Sequence, residues 1–169
     1  MTDHDTVRVR SARTCDVAAI RQLVDHYAPR KILLNKPTVK LYEDVQEFLV
    51  AESGGRVIGC GALHVMWEDL AEVRTLAVDP TVRGTGAGHA LLDQLLERAR
   101  NLGVRRVFCL TFEVGFFLRH GFHELDGSPV DAAVYDELLR SYDEGVAEFL
   151  DLERVKPNIL GNTRMVLEL

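Results

Sequence analysis

Residues 72–88 read EVRTLAVDPTVRGTGAG, and this stretch decides the fold. Its first seven residues are mostly apolar and typical of a strand, and the pair Asp79-Pro80 then indicates a turn. Glycines follow at positions 84, 86 and 88, and a helical pattern of apolar residues runs from His89 to Asn101. A strand, a glycine-rich turn and a helix N-terminus gather backbone N–H groups at one place. The stretch therefore predicts a site for an anion, a phosphate or a pyrophosphate.

The composition indicates a globular protein without a preference for polyanions. The chain has 169 residues, 47% of them hydrophobic, and a formal net charge of −6. This balance excludes a largely disordered chain and offers no footprint for nucleic acid or an anionic membrane. The three cysteines are too scattered for a disulfide framework or a metal site. With no apolar leader at Met1–Asp5 and no membrane-length apolar run, we expect a cytoplasmic, metal-free protein.

The hydrophobic pattern predicts an α+β class with a mixed, mostly antiparallel sheet of about six to seven strands flanked by helices. We expect one domain over residues 1–169, with a helical excursion at about 127–155 before a C-terminal strand. The strands are predicted over residues 7–10, 48–52, 57–67, 72–78, 104–110, 122–125 and 163–169. Helices are predicted from a cap at Thr14 or Asp16 to Tyr27, and over residues 39–45, 89–101, 114–120 and 131–142.

Other glycine-rich phosphate loops fit the stretch less well. A nucleotide P-loop needs a Gly-x-x-x-x-Gly-Lys-Ser/Thr pattern, which the sequence lacks. A dinucleotide fingerprint needs Gly-x-Gly-x-x-Gly within a parallel βαβ unit, whereas residues 84–88 are spaced differently and follow short antiparallel connections. A plain flexible turn remains the alternative interpretation of the glycines.

The strand, turn and glycines at 72–88 resemble the acetyl-coenzyme A motif of the GNAT N-acetyltransferases. A second segment, FFLRHGF at 116–122, is similar to the late helix-to-strand segment of the same family. The resemblance implies the GNAT fold, with a sheet that splays between its fourth and fifth strands. It also implies acetyl-CoA as co-substrate, bound by three sets of residues: Arg83, Gly84, Thr85, Gly86, Ala87 and Gly88 at the pyrophosphate; Leu76, Ala77 and Val78 along the pantetheine arm; and Phe117.

Phe117 departs from the pattern of the family. Many members have a tyrosine at this position, which protonates the leaving thiolate, and a phenylalanine cannot do so. The general acid therefore stays unassigned, and either water or another side chain performs this step.

The rest of the chain is similar to the acetyltransferase domain of N-acetylglutamate synthases, in their short stand-alone actinobacterial form. The similar segments are ILLNK at 32–36, VFCLT at 107–111 and KPNILGNTRMVL at 156–167. The resemblance implies direct transfer of acetyl, in a ternary complex, to the α-amine of L-glutamate, the first step of arginine biosynthesis. Longer members carry an amino-acid-kinase-like domain that senses arginine. We expect no such domain here, so arginine feedback through it does not carry over.

A glutamate pocket needs cations for two carboxylates, and Lys36, Arg74 and Arg164 are the candidates. An arginine can hold a carboxylate through two parallel hydrogen bonds, which are strong where water is excluded. The alternative is that each cation faces solvent on an edge strand or belongs to a structural ion pair.

Glu72 and Arg74 are two residues apart on a strand and therefore share a face. Either Arg74 only neutralises Glu72, or Glu72 receives the amine proton, directly or through water, while Arg74 holds a substrate carboxylate. Thr111 is the second catalytic candidate, because a strand-end hydroxyl can donate to an oxyanion or to a substrate carboxylate; it is equally well a plain structural hydroxyl.

Two other functions remain open at this point. One is acetylation of another small amine, such as glutamine, and the other is a non-catalytic acyl-CoA sensor, which the missing tyrosine permits. The acidic stretch Asp126–Asp151 is most simply a solvated helical face, and it leaves packing in a homo-oligomer open.

Overall fold

Seven strands and six α-helices are present in the parts of the chain that the computed structural model describes, residues 6–28, 36–82, 84–127, 130–152 and 161–169. The strands are β1 Arg8–Ser11, β2 Phe48–Ser53, β3 Arg56–Trp67, β4 Leu70–Val78, β5 Arg106–Thr111, β6 His123–Glu124 and β7 Thr163–Glu168. The helices are α1 Val17–Tyr27, α2 Thr38–Glu43, α3 Ala87–Leu102, α4 Val114–Arg119, α5 Ala132–Leu138 and α6 Glu144–Phe149.

The sheet confirms the predicted fold class. Its strand order is β1-β2-β3-β4-β5-β7-β6, with β1–β2, β2–β3, β5–β7 and β6–β7 antiparallel. The pair β4–β5 is parallel, and its register runs only from Leu70↔Arg106 to Glu72↔Phe108. Strand β5 continues to Thr111 and stays paired there with Thr163 of β7. The early end of the β4–β5 register agrees with the splay that the family resemblance implies.

The chain divides into two compact units, and the first comprises Met1–Leu63 and Thr75–Arg98. In this unit the apolar face of α1 packs against strands β2 and β3. Two glycines of β3 allow close packing: a Cβ at Gly59 would lie 3.0 Å from Leu91, and one at Gly61 would lie 2.9 Å from Leu95. The core side chains are Val17, Ile20, Leu23, Val24, Leu41, Phe48, Val50, Cys60, Ala62 and Ala77.

The second unit comprises His64–Arg74 and Ala99–Leu169, and it has its own core. Phe108 of β5 and Phe149 of α6 meet edge to face, with ring centroids 5.1 Å apart. This contact seats α6 on the sheet. The other buried members of this core are Met66, Leu70, Leu138, Val146 and Leu150.

The sequence predicts one helix over residues 131–142, and this prediction is wrong in its length. In the structure α5 ends at Leu138, and a separate helix, α6, begins at Glu144. Asp131 caps α5 by accepting from the Val134 N–H at 3.0 Å. The Ser141 hydroxyl then accepts from the Asp143 N–H, and Asp143 caps α6 through the Val146 N–H. A cap at Asp143 starts a new helix rather than continuing the old one.

These two helices occupy the described part of the expected excursion at 127–155, and the single-domain organisation stays a prediction. Among the described residues, no helix combines the length and the apolar character needed to cross a membrane.

Candidate active site

The glycine loop of the first unit has the backbone of an anion cradle. Gly84 and Gly86 have φ angles of 81° and 80°, in the left-handed region that favours glycine. Open space surrounds the position that a Cβ would take at either residue. Helix α3 begins directly afterwards at Ala87, and its first hydrogen bond runs from the Ala90 N–H to the Gly86 carbonyl at 3.0 Å. Backbone N–H groups at the start of a helix have no helical carbonyl to pair with, and this is the geometry in which an anion binds.

Thr85, Ala87 and Gly88 supply these N–H groups together with the two glycines, so the predicted pyrophosphate residues lie around one turn. Arg83 falls outside the described residues. The roles of all six in binding acetyl-CoA stay predictions.

Strand β4, which precedes this loop, contains one residue with an unusual backbone conformation. Thr75 has a φ angle of 56°, which is unusual for a β-branched side chain, and its carbonyl accepts from the Cys60 thiol at 3.4 Å. The Val78 carbonyl accepts from the Tyr27 hydroxyl at 2.5 Å. This hydrogen bond occupies one lone pair of the Val78 carbonyl, which we expect to face the pantetheine arm. Leu76 and Ala77 stay candidates for backbone hydrogen bonds to pantetheine.

Replacing Gly86 with alanine should raise the Kd for acetyl-CoA by about tenfold or more, because a Cβ at this φ forces the cradle to rearrange. Calorimetric titration with acetyl-CoA measures the effect. Gly55→Ala is a matched control in the hairpin turn, because Gly55 has a φ of 75° and equally open surroundings. It should lower stability by a similar amount and leave the Kd unchanged. Equal affinities in the two variants would exclude the loop as the CoA site.

The second unit contains a buried ion-pair cluster of Glu72, Arg74 and Asp143. Arg74 donates to Glu72 Oε2 from Nε at 3.0 Å and from Nη2 at 2.5 Å. It also donates to both Asp143 oxygens, from Nη1 at 2.9 Å and from Nη2 at 2.7 Å. The Arg74 side chain is only 8% exposed. The structure thus brings Glu72 and Arg74 together as predicted and adds a second carboxylate.

The charges of this cluster stabilise one another. Burial opposes ionisation of Asp143, but the hydrogen bonds and charge of Arg74 outweigh it and hold the pKa of that carboxyl well below its usual range. Burial likewise opposes the charge of Arg74, but Glu72 and Asp143 raise its pKa above the usual value. His64 of β3 lies at the edge of the cluster, with Nε2 3.8 Å from Asp143 Oδ2.

Helix α6 approaches the cluster closely at Gly145. A Cβ at this residue would overlap Glu72 Oε2 and Arg74 Nη2. A glycine here lets the first turn of the helix lie directly against the ion pair, which explains why Asp143, just before it, reaches the guanidinium.

A further carboxyl, Glu148, is buried three residues after Gly145. Glu148 is only 3% exposed, and its Oε1 atom has no hydrogen-bond partner among the described residues. Burial, followed by the negative charge of Glu72, raises the pKa of Glu148 to about 8, despite the opposing charge of Arg74. Asp143 and Glu144 raise it further. Glu148 therefore holds a proton at neutral pH, unlike Asp143.

Thr111 and Arg164 lie on neighbouring strands of the same unit, where Leu110 pairs with Arg164 and Thr111 pairs with Thr163. The Thr111 hydroxyl accepts from the Glu113 N–H at 2.7 Å, which leaves its own hydrogen available for donation. Arg164 donates from Nη2 to the Phe149 carbonyl in the last turn of α6. Its Nε is buried without a partner among the described residues, and burial lowers its pKa.

The remaining predicted residues occupy other surroundings. Phe117 of α4 is buried and packs edge to face on Phe122 at 5.1 Å, as a core residue does. Lys36 lies just before α2 in the first unit, and its carbonyl accepts from the Arg21 guanidinium. Their roles in binding stay predictions.

Sequence reasoning missed Asp143 and Glu148, because the acidic stretch was interpreted as a solvated face. That interpretation is wrong for these two residues: Asp143 is ion-paired with Arg74, and Glu148 is buried. One signal was present: Glu148 is a single carboxyl within the apolar run Val146–Leu150. For Asp143 the local sequence contains no comparable signal.

Comparison with known proteins identifies relatives along most of the chain. The family model for the acetyltransferase (GNAT) family matches residues 18–122. An amino-acid acetyltransferase from Mycobacterium tuberculosis is 65% identical over 164 residues, which cover 95% of this chain and 94% of the relative. An amino-acid acetyltransferase from Aeromonas salmonicida is 31% identical over 121 residues, which cover 70% of this chain but only 27% of that longer protein.

Two solved structures extend the comparison. Rv2747 from M. tuberculosis in complex with CoA and NLQ superimposes with a TM-score of 0.93 at 64% identity, over 96% of this chain and 99% of that one. N-acetylglutamate synthase from Neisseria gonorrhoeae, complexed with coenzyme A and N-acetyl-glutamate, gives a TM-score of 0.76 at 25% identity, over 96% of this chain and 35% of the other. The expectation of an N-acetyltransferase enzyme is confirmed, and the chain belongs to the acetyltransferase (GNAT) family.

Proposed function

We propose that the protein transfers an acetyl group from acetyl-CoA to the α-amine of L-glutamate, directly and without an acetyl-enzyme. The cradle at residues 84–88 is the observation that supports acetyl-CoA as the donor, because two glycines with positive φ leave the first turn of α3 open to an anion. The choice of an amino acid as the acceptor rests on the similarity to an amino-acid acetyltransferase over 94% of that relative's length.

Acetyl-CoA supplies an activated thioester, and this chain supplies binding and proton handling. The cradle would hold the pyrophosphate through backbone N–H groups and the helix dipole. In the second unit, Glu72 and Asp143 give the ion-pair cluster one negative charge in excess of Arg74. An excess negative charge in a buried place favours the substrate's ammonium group, so the cluster is suited to hold the amine end.

The substrate's carboxylates need donors outside this cluster, because the Arg74 nitrogens already face Glu72 and Asp143. Arg164 has the buried Nε that is still without a partner among the described residues. Thr111 lies one register position away on β5, so its hydroxyl points to the opposite face of the sheet, and Arg164 is the donor that we propose. Arg74 itself then acts by positioning Glu72 rather than by holding a substrate carboxylate.

Glutamine is the second candidate acceptor, and the saturation of Arg74 favours it. Glutamine differs from glutamate by one charge, so it needs one cation fewer. Coenzyme A release with a panel of glutamate, glutamine and ornithine tests both candidates. The proposed function requires the highest kcat/KM with glutamate. A higher kcat/KM with glutamine would make glutamine the acceptor. If no amino acid caused release of coenzyme A, the acyl-CoA sensor would remain as the function.

Arg164→Ala should raise the KM for glutamate by roughly 10- to 100-fold, the value of one or two charge-assisted hydrogen bonds to a carboxylate. The KM for acetyl-CoA should change less than about twofold. Steady-state kinetics with each substrate varied in turn measures the split. Arg140→Ala removes an exposed arginine of the same unit and should change neither constant. An unaltered glutamate KM in the Arg164 variant would remove this residue from the site.

A further inference from the structure

Glu148 is a buried acceptor whose role the cluster alone does not explain. It lies in α6 with 3% of its surface exposed, and Oε1 meets no donor among the described residues. A buried polar atom without a partner destabilises the folded state, so it is a place where a ligand can supply the missing hydrogen bond. Gly145 and Glu148 are three residues apart and share one face of the helix, and Gly145 abuts Glu72 Oε2 and Arg74 Nη2. Glu148 is therefore aimed along the side of α6 that packs against the ion pair.

Charged groups from two elements surround this carboxyl. Glu72 and Arg74 face it from β4, and Asp143 and Glu144 face it from the start of its own helix. His64 of β3 is a further titratable group, with Nε2 3.8 Å from Asp143 Oδ2. Arg74 donates hydrogen bonds to Glu72 and Asp143, whereas the buried Oε1 of Glu148 has no such donor in the described structure.

We propose that Glu148 receives the proton that the acceptor's ammonium group loses before attack on the thioester. This inference rests on the proposed amine acetylation in the second unit. Glu72 then acts as an anion that attracts and orients the ammonium, and it does not have to leave Arg74 to accept a proton.

The proton balance of the step is complete. The substrate ammonium gives one proton to the ionised carboxylate of Glu148 and becomes a free amine. The amine nitrogen forms a bond to the acetyl carbon, and the carbon–sulfur bond breaks. The second nitrogen-bound proton leaves as the amide forms and neutralises the thiolate, so the products are the acetylated amino acid and coenzyme A. Glu148 returns its proton to solvent after product release.

The acidity of the two partners is matched. The pKa of Glu148 is raised to about 8 by burial and by Glu72, and an α-amine has a reference pKa of about 8. Proton transfer between groups of equal pKa has no uphill free energy, which is the condition for an efficient general base near the working pH. An ammonium group beside Glu148 also lowers its pKa, which favours the ionised form when substrate is bound.

Glu148→Gln tests the proposal, with Glu137→Gln as the matched control in the same unit. Glu137 lies on α5 with its side chain 50% exposed, and it is not among the groups that face Glu148. At pH 7 the Glu148 variant should lose about 100-fold in kcat, within the range for loss of a general base, while its Kd for acetyl-CoA stays within about twofold of the wild type. The wild-type kcat should rise with pH and level off near 8, because the bound ammonium group lowers the pKa of Glu148. In Glu148→Gln the kcat should keep rising to about pH 9, because only free amine reacts and its pKa is about 8.

Glu148→Asp gives the second measurement, because it keeps the acid one methylene further away and should recover at least tenfold of the lost kcat. A Glu148→Gln variant with wild-type kcat, or with the wild-type pH profile, would overturn the inference. An equal loss in Glu148→Gln and Glu148→Asp, with no change in pH profile, would show a purely structural residue and would also overturn it. Absence of acetylation by the wild-type enzyme with every amino acid would instead refute the proposed function.

Discussion

Replacing Arg74 with alanine should lower the free energy of unfolding by about 3–5 kcal/mol, the largest loss we expect from any single substitution in this chain. The reason is the pair of carboxylates that Arg74 leaves behind. Glu72 and Asp143 have side chains only 4% and 14% exposed, and both accept from the guanidinium. Without it, two anions stay buried beside each other with no opposite charge. Chemical denaturation followed by circular dichroism measures the loss.

The loss of stability in Arg74→Ala should depend on pH and should be smaller in acid. In the wild type, Arg74 keeps the pKa of Asp143 below its unfolded value, so this pair contributes stability above pH 4 that is lost only as pH falls through the lowered pKa. The variant lacks this contribution. The difference between wild type and variant should therefore be nearly constant from about pH 7 to about pH 5 and should shrink as pH falls below about 4.

Two further variants separate charge from packing. Arg56→Ala breaks an ion pair with Asp79 whose side chains are 63% and 24% exposed, and it should cost no more than about 1 kcal/mol. Adding Asp143→Asn to Arg74→Ala removes one of the stranded charges and keeps a residue that can cap α6, so part of the stability should return. If Arg74→Ala costs as little as Arg56→Ala, the buried ion pair is not a determinant of stability.

The sequence predicted the elements well wherever the signal is local. The alternating pattern of β3 and the helical pattern of α3 were placed within two residues of the structure, at Arg56–Trp67 and Ala87–Leu102. The glycine loop was identified for the same reason, because its strand, turn and helix are consecutive. Periodicity and turn chemistry act over a few residues, and a single sequence contains them in full.

The acidic cluster could be predicted only in part. Glu72 and Arg74 are neighbours on one strand, and the shared face follows from their spacing. Asp143 is separated from Arg74 by 69 residues, and nothing in the local sequence of either residue identifies the other. Only the position of Asp143 separates the two interpretations of Arg74. A guanidinium that already donates to two carboxylates has few N–H donors left for a substrate carboxylate.

Glu148→Gln should remove a strong pH dependence of stability, and this is the second large effect that we expect. In the folded protein the pKa of Glu148 is raised to about 8, against a value of about 4.5 when unfolded. Between these values the folded state holds a proton that the unfolded state has lost. Stability is therefore highest below pH 4.5 for this group and falls as pH rises, by up to about 1.4 kcal/mol per pH unit.

The change of stability with pH, rather than the stability at one pH, tests whether Glu148 ionises with a raised pKa. A glutamine in this place changes the hydrogen bonding of the buried group by a constant amount, whereas only an ionising carboxyl makes the difference between wild type and variant change with pH. Denaturation at pH 5, 6, 7 and 8 should show the wild type losing roughly 1 kcal/mol per unit relative to Glu148→Gln. Glu137→Gln removes an exposed carboxyl of α5 and should run parallel to the wild type. Parallel curves for Glu148→Gln would mean that this carboxyl ionises normally despite its burial. It would then hold no proton at neutral pH, and its match in acidity to an α-amine would be lost.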